Sequence, residues 1–429
     1  MAKSPEGTIF NLAPGVYRLQ QVTPKNNDAF IGAGTVILNG SQIVAFHPTS
    51  PKNGRWVADF SASSFSHGRC RNDHPLCGYI QDLFINNQLQ MPVGNDQNLS
   101  PGSWYFDRAR SKVYLPFDPS GKTVEIGLAS YAFAGNATGI RIENIIVEKY
   151  ACAAQTGAIG GQTFPSTWIV NRVEARFNHG RGISLGSGSV IENSFAHHNG
   201  QLGISLTGAN AKALNNEVSW NNYAGFDSGW EAGGSKFSRT SSLVIHGNYV
   251  HDNNGRGLWS DIDNSATLYD TNTVTNNANE GITHEVSYSA IIRNNIVRGN
   301  GNSATVWLWN AQILIQNSSN VEVYGNTVEI GVAGGNGIAV INQKRGSGAN
   351  GPWVASGNYI HDNSITALGE VGATGFVDDS HSNSAQNNRF DRNHYFVKSG
   401  AARHWAWGGF LDWNGFTQAE QELHGTCCK

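Results

Sequence analysis

Long apolar runs, helix-forming stretches and charge are all scarce in this chain of 429 residues. No run approaches the roughly 20 apolar residues of a membrane-spanning helix, so a membrane partner is not expected. Charged residues make up 14%, with 29 Lys and Arg against 32 Asp and Glu, a formal net charge of −3. No basic cluster stands out, and a nucleic-acid partner would want a clear positive surface. Two methionines and a low share of Leu, Lys and Glu leave little material for long helices. No signal peptide is visible, although an extracellular or periplasmic location is expected.

Cysteine is also sparse, at five residues. Cys70 and Cys77 bracket the polar loop Cys-Arg-Asn-Asp-His-Pro-Leu-Cys and are expected to form a disulfide, with a metal site using His67 or His74 as the alternative. Cys152 reads as a buried apolar residue. Cys427 and Cys428 receive no role.

Glycine is abundant, at 51 residues, and Asn, Ser, Thr, Val and Ile fill much of the rest. That balance suits many short strands joined by tight turns. An Asn followed by a short apolar strand recurs at Asn193, Asn216, Asn248, Asn272, Asn295, Asn326, Asn358 and Asn388, with spacings of 23, 32, 24, 23, 31, 32 and 30. An Asn- and Gly-rich turn follows most of them. A second strand then opens on Gly182, Gly203, Gly225, Gly257, Gly281 or Gly337. Each coil carries an inward apolar row and an outward polar row with period two. No coil can bury its inner face alone, whereas stacked coils can. A β-propeller would need longer and more regular repeats near forty residues. The pattern predicts an all-β chain, a right-handed parallel β-helix, with variable loops leaving one side to build the functional face. Residues 1–43 read as its first coils and 128–429 as the main helix. Between them, 44–127 lose the repeat and read as a small inserted antiparallel β-domain. Gln418-Ala-Glu-Gln-Glu-Leu-His is expected to be a short capping helix.

Aligning second strands on Gly225, Gly257 and Gly281 predicts two outward columns, Gly229–Asp261–Glu285 and Glu231–Asp263–Ser287, with Asp227, Trp259 and Thr283 along one edge. Four carboxylates (Glu231, Asp261, Asp263 and Glu285) would then share one face. Like charges on adjacent strands repel unless one group stays protonated or a cation is bound. Asp261 and Glu285 lie one coil apart, about 4.8 Å laterally, close to the 5–5.5 Å between the carboxyl groups of retaining glycosidases. Asp261 is the candidate nucleophile and Glu285 the candidate acid/base. Glu231 and Asp263 are expected to orient sugar hydroxyls, and Trp259 to face outward and stack on a sugar ring. Lys236, Arg256, His284 and Trp309 complete the substrate-binding candidates. Trp230 and His284 are inward by register. No cofactor is expected for hydrolysis, while calcium, an oxygen-seeking cation, is the candidate metal on the four carboxylates. His179, His197 and His198 read as turn residues, and Asp378-Asp379-Ser380-His381 as a surface turn.

With these features the chain resembles the pectate-lyase-like superfamily of β-helical carbohydrate-active enzymes. It is most similar to β-helical glycoside hydrolases with an inserted β-sandwich, through Pro101-Gly-Ser-Trp-Tyr-Phe-Asp and Lys112-Val-Tyr-Leu in the insertion. The resemblance implies an Asp and a Glu from neighbouring coils, which match Asp261 and Glu285. Polysaccharide lyases and uronate C5-epimerases of the superfamily imply calcium on carboxylates and Lys236 or Arg256 as base. A non-catalytic, tailspike-like glycan-binding role is the third alternative. The expected partner is a carbohydrate, bound by a monomer or small homo-oligomer.

Overall fold

The computed structural model describes residues 4–49, 54–301, 307–380, 386–398, 400 and 403–428; of the expected Asp378–His381 surface turn, His381 lies outside them. Three long parallel sheets wrap one continuous core. Each coil contributes one short strand to each sheet, here named faces A, B and C. Thus Ile169–Asn171 lies on face A, Glu174–Arg176 on face B and Arg181–Leu185 on face C. Parallel partners repeat in register along each face, as where Ile142, Val170 and Ile191 follow one another inward on face A.

The corner between faces A and B explains the sequence repeat. It is two residues long in coil after coil. The first residue has a left-handed backbone, at Asn193 (φ 49°), Asn215 (53°), Thr271 (58°), Asn294 (55°) and Asp362 (53°). From the corner at Asn215 onward the second is a buried Asn whose side chain accepts from the preceding coil, and in the coil before it is Ser194. Asn216, Asn248, Asn272, Asn295, Asn326, Asn363 and Asn393 form one ladder, each backbone N–H donating to the next Asn Oδ1. The ladder corrects the sequence-based phase at the far end. Asn358 and Asn388 belong to a different corner, between faces C and A, where Asn358 donates to Asn388. The step after Asn326 is therefore 37 residues, to Asn363.

A second ladder, Asn178–Asn199–Asn221–Asn253–Asn277–Asn300, runs between faces B and C. It dictates the glycines that open each face C strand. A Cβ at Gly257 would lie 2.9 Å from Asn277 Nδ2, and one at Gly281 2.7 Å from Asn300 Nδ2. Side chains are excluded there by the ladder amide together with a backbone carbonyl of the following coil, Gly281 O at 2.6 Å and Gln312 O at 2.7 Å.

The insertion leaves the second coil between its face B strand, Val36–Asn39, and its face C position, where Phe133 bridges in parallel to Val22 and Ile159. Its eight-stranded sheet starts with Ser41–Ile43, which pairs with the last strand, Val124–Gly127. The sheet has its own core around Trp104, Phe106, Leu115 and Ile126. It is not wholly antiparallel as expected. Gln88–Val93 and Ser103–Asp107 run parallel, because residues 94–102, with an Asn95-capped 3₁₀ turn, carry the chain back before the second strand begins. Cys70 and Cys77 are disulfide-bonded, as are Cys427 and Cys428, and Cys152 is a buried free thiol.

The far end is closed by a helix that begins earlier than the sequence suggests, at Trp413–Gln418, with Asp412 capping it through Gly415 N–H at 2.7 Å. Left-handed backbones at Glu420 and Glu422 stop any continuation. Glu422 terminates the first ladder, accepting from Asn393 Nδ2 at 2.6 Å and from the Tyr395 hydroxyl at 2.9 Å. Burial pushes its carboxyl up to about 7 from an ordinary 4.5, against the donors that lower it. An acid raised in the folded state stabilises fully below its unfolded value, and that contribution is lost as pH rises through the folded one. Stability should therefore fall between about pH 5 and 8 by on the order of 3 kcal/mol from this group. Glu422→Gln should flatten that slope in denaturant melts taken across the range.

Candidate functional site

Face C places the predicted residues, but with a corrected register. The strand beside Leu258–Asp261 is Gly233–Ser241, with Phe237 opposite Ser260. Gly225 does not open a strand. Its backbone is left-handed (φ 78°), Phe226 bridges to Cys70 in the insertion, and Asp227 caps the short helix Ser228–Glu231 through Gly229 N–H. The Gly229–Asp261 alignment is therefore wrong by a whole loop, and Gly234 is the true counterpart of Gly257. Trp230 is half-buried against Phe226 and His67 near the insertion, not inside the helix.

The two outward columns become Ser205–Lys236–Trp259–Thr283–Leu314 and Thr207–Ser238–Asp261–Glu285–Gln316. Asp261 and Glu285 are direct lateral partners, as expected from the sequence. Both are almost buried, at 7% and 6% exposure. The carboxylates are not left facing one another alone. Lys236 Nζ sits 2.8 Å from Asp261 Oδ2 and 3.6 Å from Glu231 Oε2. Arg345 Nη2 donates to Glu285 Oε1 at 3.0 Å, and Trp259 Nε1 donates to Glu285 Oε2 at 3.1 Å. Glu231, carried on the short helix, pairs with Arg181 and accepts from Gln155 Nε2 at 3.0 Å. Burial draws the Lys236 ammonium below its ordinary value, and Asp261 works against that shift. Arg256 is also desolvated by burial, but Glu280 at 2.9 Å and nearby Glu285 more than offset it.

Trp259 occupies the outward column but is not an open platform. It is 2% exposed, with Lys236 Nζ 4.0 Å and Arg256 Cζ 4.2 Å from its ring centroid. Two cations cover the indole, which serves as a floor that aims Glu285. Asp263 leaves the column as well. Its left-handed backbone (φ 57°) turns the carboxylate toward the hairpin at Ser347–Pro352, where Oδ1 accepts from Trp353 Nε1 and Ala349 N, both at 3.1 Å. Ser287 sits in a corner, bonded to Asn264. The expected Glu231–Asp263–Ser287 column does not exist.

His284 is inward, as the register implies. Its Nε2 donates to Tyr288 O at 2.7 Å, and burial lowers its pKa to about 4, so it is a neutral core residue. Trp309 lies one coil beyond, half-buried against an apolar cluster with Leu308 and Leu314. Among the described residues no three His, Cys, Asp or Glu side chains are placed to hold a metal. The four candidate calcium ligands do not fit that ion, since three carboxylates face cations and Asp263 is turned away.

A depression of about 430 Å³ flanks the pair on the preceding coils, lined by Arg181, Ser205, Thr207, Glu231, Ser238 and Arg239. Two cations of the site escaped the sequence reading. Arg181 carries a signal in retrospect, because Arg181-Gly182 repeats in Arg256-Gly257, three coils apart at the same corner. Arg345 comes from residues 343–358, a long connection whose destination has no local signature.

Residues 161–328 match the family model described as the right handed beta helix region. No curated protein matches the sequence significantly. Among solved structures, XylC in complex with xylose is 15% identical at a TM-score of 0.75, over 100% of this chain and 82% of that chain. The A-modules of two Azotobacter vinelandii mannuronan C-5 epimerases, AlgE6 and AlgE4, are 13% and 12% identical at TM-scores of 0.51 and 0.50. They align over 99% of this chain and 87% and 91% of theirs. At such identities the likeness is one of fold, and the fold is a right-handed parallel β-helix.

Proposed function

We propose that the protein cleaves glycosidic bonds of a poly- or oligosaccharide on face C, as a retaining glycoside hydrolase using Asp261 and Glu285. The observation that carries this reading is the lateral pairing of the two carboxyl groups on adjacent coils. Strand spacing of about 4.8 Å lies near the carboxyl separation of retaining enzymes. Asp261, held beside Lys236, attacks the anomeric carbon while Glu285 gives its proton to the departing oxygen. Glu285 then takes a proton from water, which displaces Asp261 with overall retention. Arg345 must release Glu285 for the proton to be carried, and its partly exposed side chain on a connecting loop allows that. Glu231 and Arg181 line the flanking depression, where sugar hydroxyls would bind.

Xylosides are the first substrates to test, because the XylC structure contains xylose. Reducing ends should appear without an ultraviolet-absorbing product, EDTA should leave the rate unchanged, and the first product should keep its anomeric configuration by NMR. Inversion, or no release from any member of a polysaccharide panel, overturns the reading.

Lys236 favours a second reading. A buried lysine with a lowered pKa can serve as a Brønsted base, and four cations (Arg181, Lys236, Arg256 and Arg345) would suit a uronate. Arg256, held charged by Glu280, cannot serve as that base. An unsaturated product or C5 inversion on mannuronan would select this lyase or epimerase chemistry.

A further inference from the structure

The corner between faces B and C carries a second column that the carboxylate site does not use. Just before each ladder Asn stands a residue with left-handed backbone: Phe177, His198, Trp220, Asp252 and Asn276, with φ of 53°, 48°, 56°, 52° and 57°. Asn and Asp adopt this conformation readily, whereas a bulky aromatic there is an outlier. Trp220 is nevertheless 51% exposed. Burial therefore does not account for a tryptophan at that position.

Its surroundings are ordered and polar. The His198 ring lies nearly parallel to the indole, at 19° and 6.1 Å between centroids, and sets its plane. His198 in turn packs on Phe177, which is held by Phe84 of the insertion. On the other side the column continues into Asp252 and Asn276. Asp252 uses Oδ2 for His251 at 2.7 Å, while Oδ1 has no partner among the described residues. The side-chain amide of exposed Asn276 likewise makes no hydrogen bond among them, its backbone N–H donating to Arg298 O. A shallow depression of about 470 Å³ joins these groups, with Tyr223 and Asn254 on its walls.

We propose that this corner is a saccharide-binding surface separate from the carboxylate pair, with one sugar ring stacked on Trp220 and the chain running along the coil axis over Asp252 and Asn276. An aromatic face suits the C–H side of a pyranose, and the unpaired amide and carboxylate suit its hydroxyls. The coils repeat every ~4.8 Å, so these groups follow one another in a line, as a linear glycan requires. A protein partner would instead want a contiguous apolar patch, and the neighbours of Trp220 on this corner are polar. The inference does not depend on Asp261 and Glu285 being catalytic.

The test is affinity electrophoresis of the full chain through gels containing xylan or alginate, in wild type and in an Asp261→Asn/Glu285→Gln background. Trp220→Asn puts a residue suited to the left-handed corner in place of the platform. Retardation should weaken at least about fivefold, the loss expected for one anchoring aromatic. The melting temperature should hold or rise, and turnover of a soluble aryl glycoside should stay unchanged. Asp252→Asn/Asn276→Ala, on exposed or half-exposed positions, should weaken retardation too. Retardation that persists in Trp220→Asn, or is absent from wild type in both gels, overturns the proposal. So does retardation that is unchanged in the Asp252/Asn276 variant. Retardation that survives in the carboxylate background while catalysis is lost separates this surface from the proposed active site.

Discussion

Asp261→Asn will reduce glycoside turnover by roughly a thousandfold or more, and Glu285→Gln by a similar factor on substrates with poor leaving groups. The two losses should differ in character. Asp261 is placed to form the covalent bond, so its amide fails on every substrate. Glu285 is placed to protonate the leaving oxygen, so its loss should matter least for an aryl glycoside whose leaving group needs no proton. Azide should sharpen the contrast. It can replace the missing carboxylate in an Asp261→Ala variant and give a glycosyl azide of inverted configuration. In Glu285→Ala it can attack the intermediate and give the retained one. Lys236 lies 2.8 Å from Asp261 and keeps Glu231 at 3.6 Å when that carboxylate is lost, while Arg345, 3.0 Å from Glu285, is partly exposed. Thermal melts must accompany the kinetics, since losing one partner of a fully buried pair costs about 3–5 kcal/mol, which sets the upper bound here. Full turnover in both folded variants would remove the pair from the mechanism.

The largest stability effect should come from the ladder. Asn253 is 1% exposed and donates through Nδ2 to Val218 O at 2.9 Å, His251 O at 3.0 Å and Asn277 Oδ1 at 2.8 Å. Its Oδ1 accepts from both the backbone and the side-chain N–H of Asn221, at 3.1 and 2.9 Å. Asn253→Ala deletes all five bonds away from water: the Asn221 backbone N–H loses its acceptor, while Asn221 Nδ2 keeps Ala196 O and Asn277 Oδ1 keeps the Asn253 N–H. A buried unsatisfied group costs about 1–3 kcal/mol and each lost bond about 0.5–1.5 kcal/mol, so a loss of about 4 kcal/mol is expected, among the largest for a single substitution. Asn276→Ala, one residue before the next ladder position and exposed, should cost only about 1–2 kcal/mol, from placing Ala on a left-handed backbone. Denaturant melts of the two variants side by side check the contrast. Equal stability would mean that the ladder amides exchange protein for water partners without cost.

Much of the fold was legible because its rules are local. A left-handed Asn, a ladder Asn and a period-two strand occupy a few neighbouring residues, so Asn216, Asn248, Asn272 and Asn295 can be found by eye. The Asp261–Glu285 pairing was legible for the same reason, since a 24-residue coil with no inserted loop keeps its phase. Phase was lost where loops entered. Gly225-Phe-Asp imitates the start of a face C strand, but Asp227 caps a helix and the strand waits until Gly233. The long connection after Asn342 shifted Asn358 into a different corner. Contacts across the structure were less legible still. Nothing near Trp259 in sequence announces that Lys236 and Arg256 cover its ring, and nothing near Asp263 announces the hairpin it holds.

The two-residue corner between faces A and B has a consequence for how such a chain can change. Every coil passes it in the same way, while length differences are taken up at the two corners that border face C. Recognition surfaces can thus be lengthened, shortened or exchanged without altering the pitch of the stack. Whole coils are interchangeable units on the same terms. Excising the 22 residues from Ser194 to Asn215 would bring Asn216 Oδ1 to the Val173 N–H that Ser194 Oγ now serves. A family built on this corner can diversify its specificity by editing modules, with the scaffold's geometry held constant.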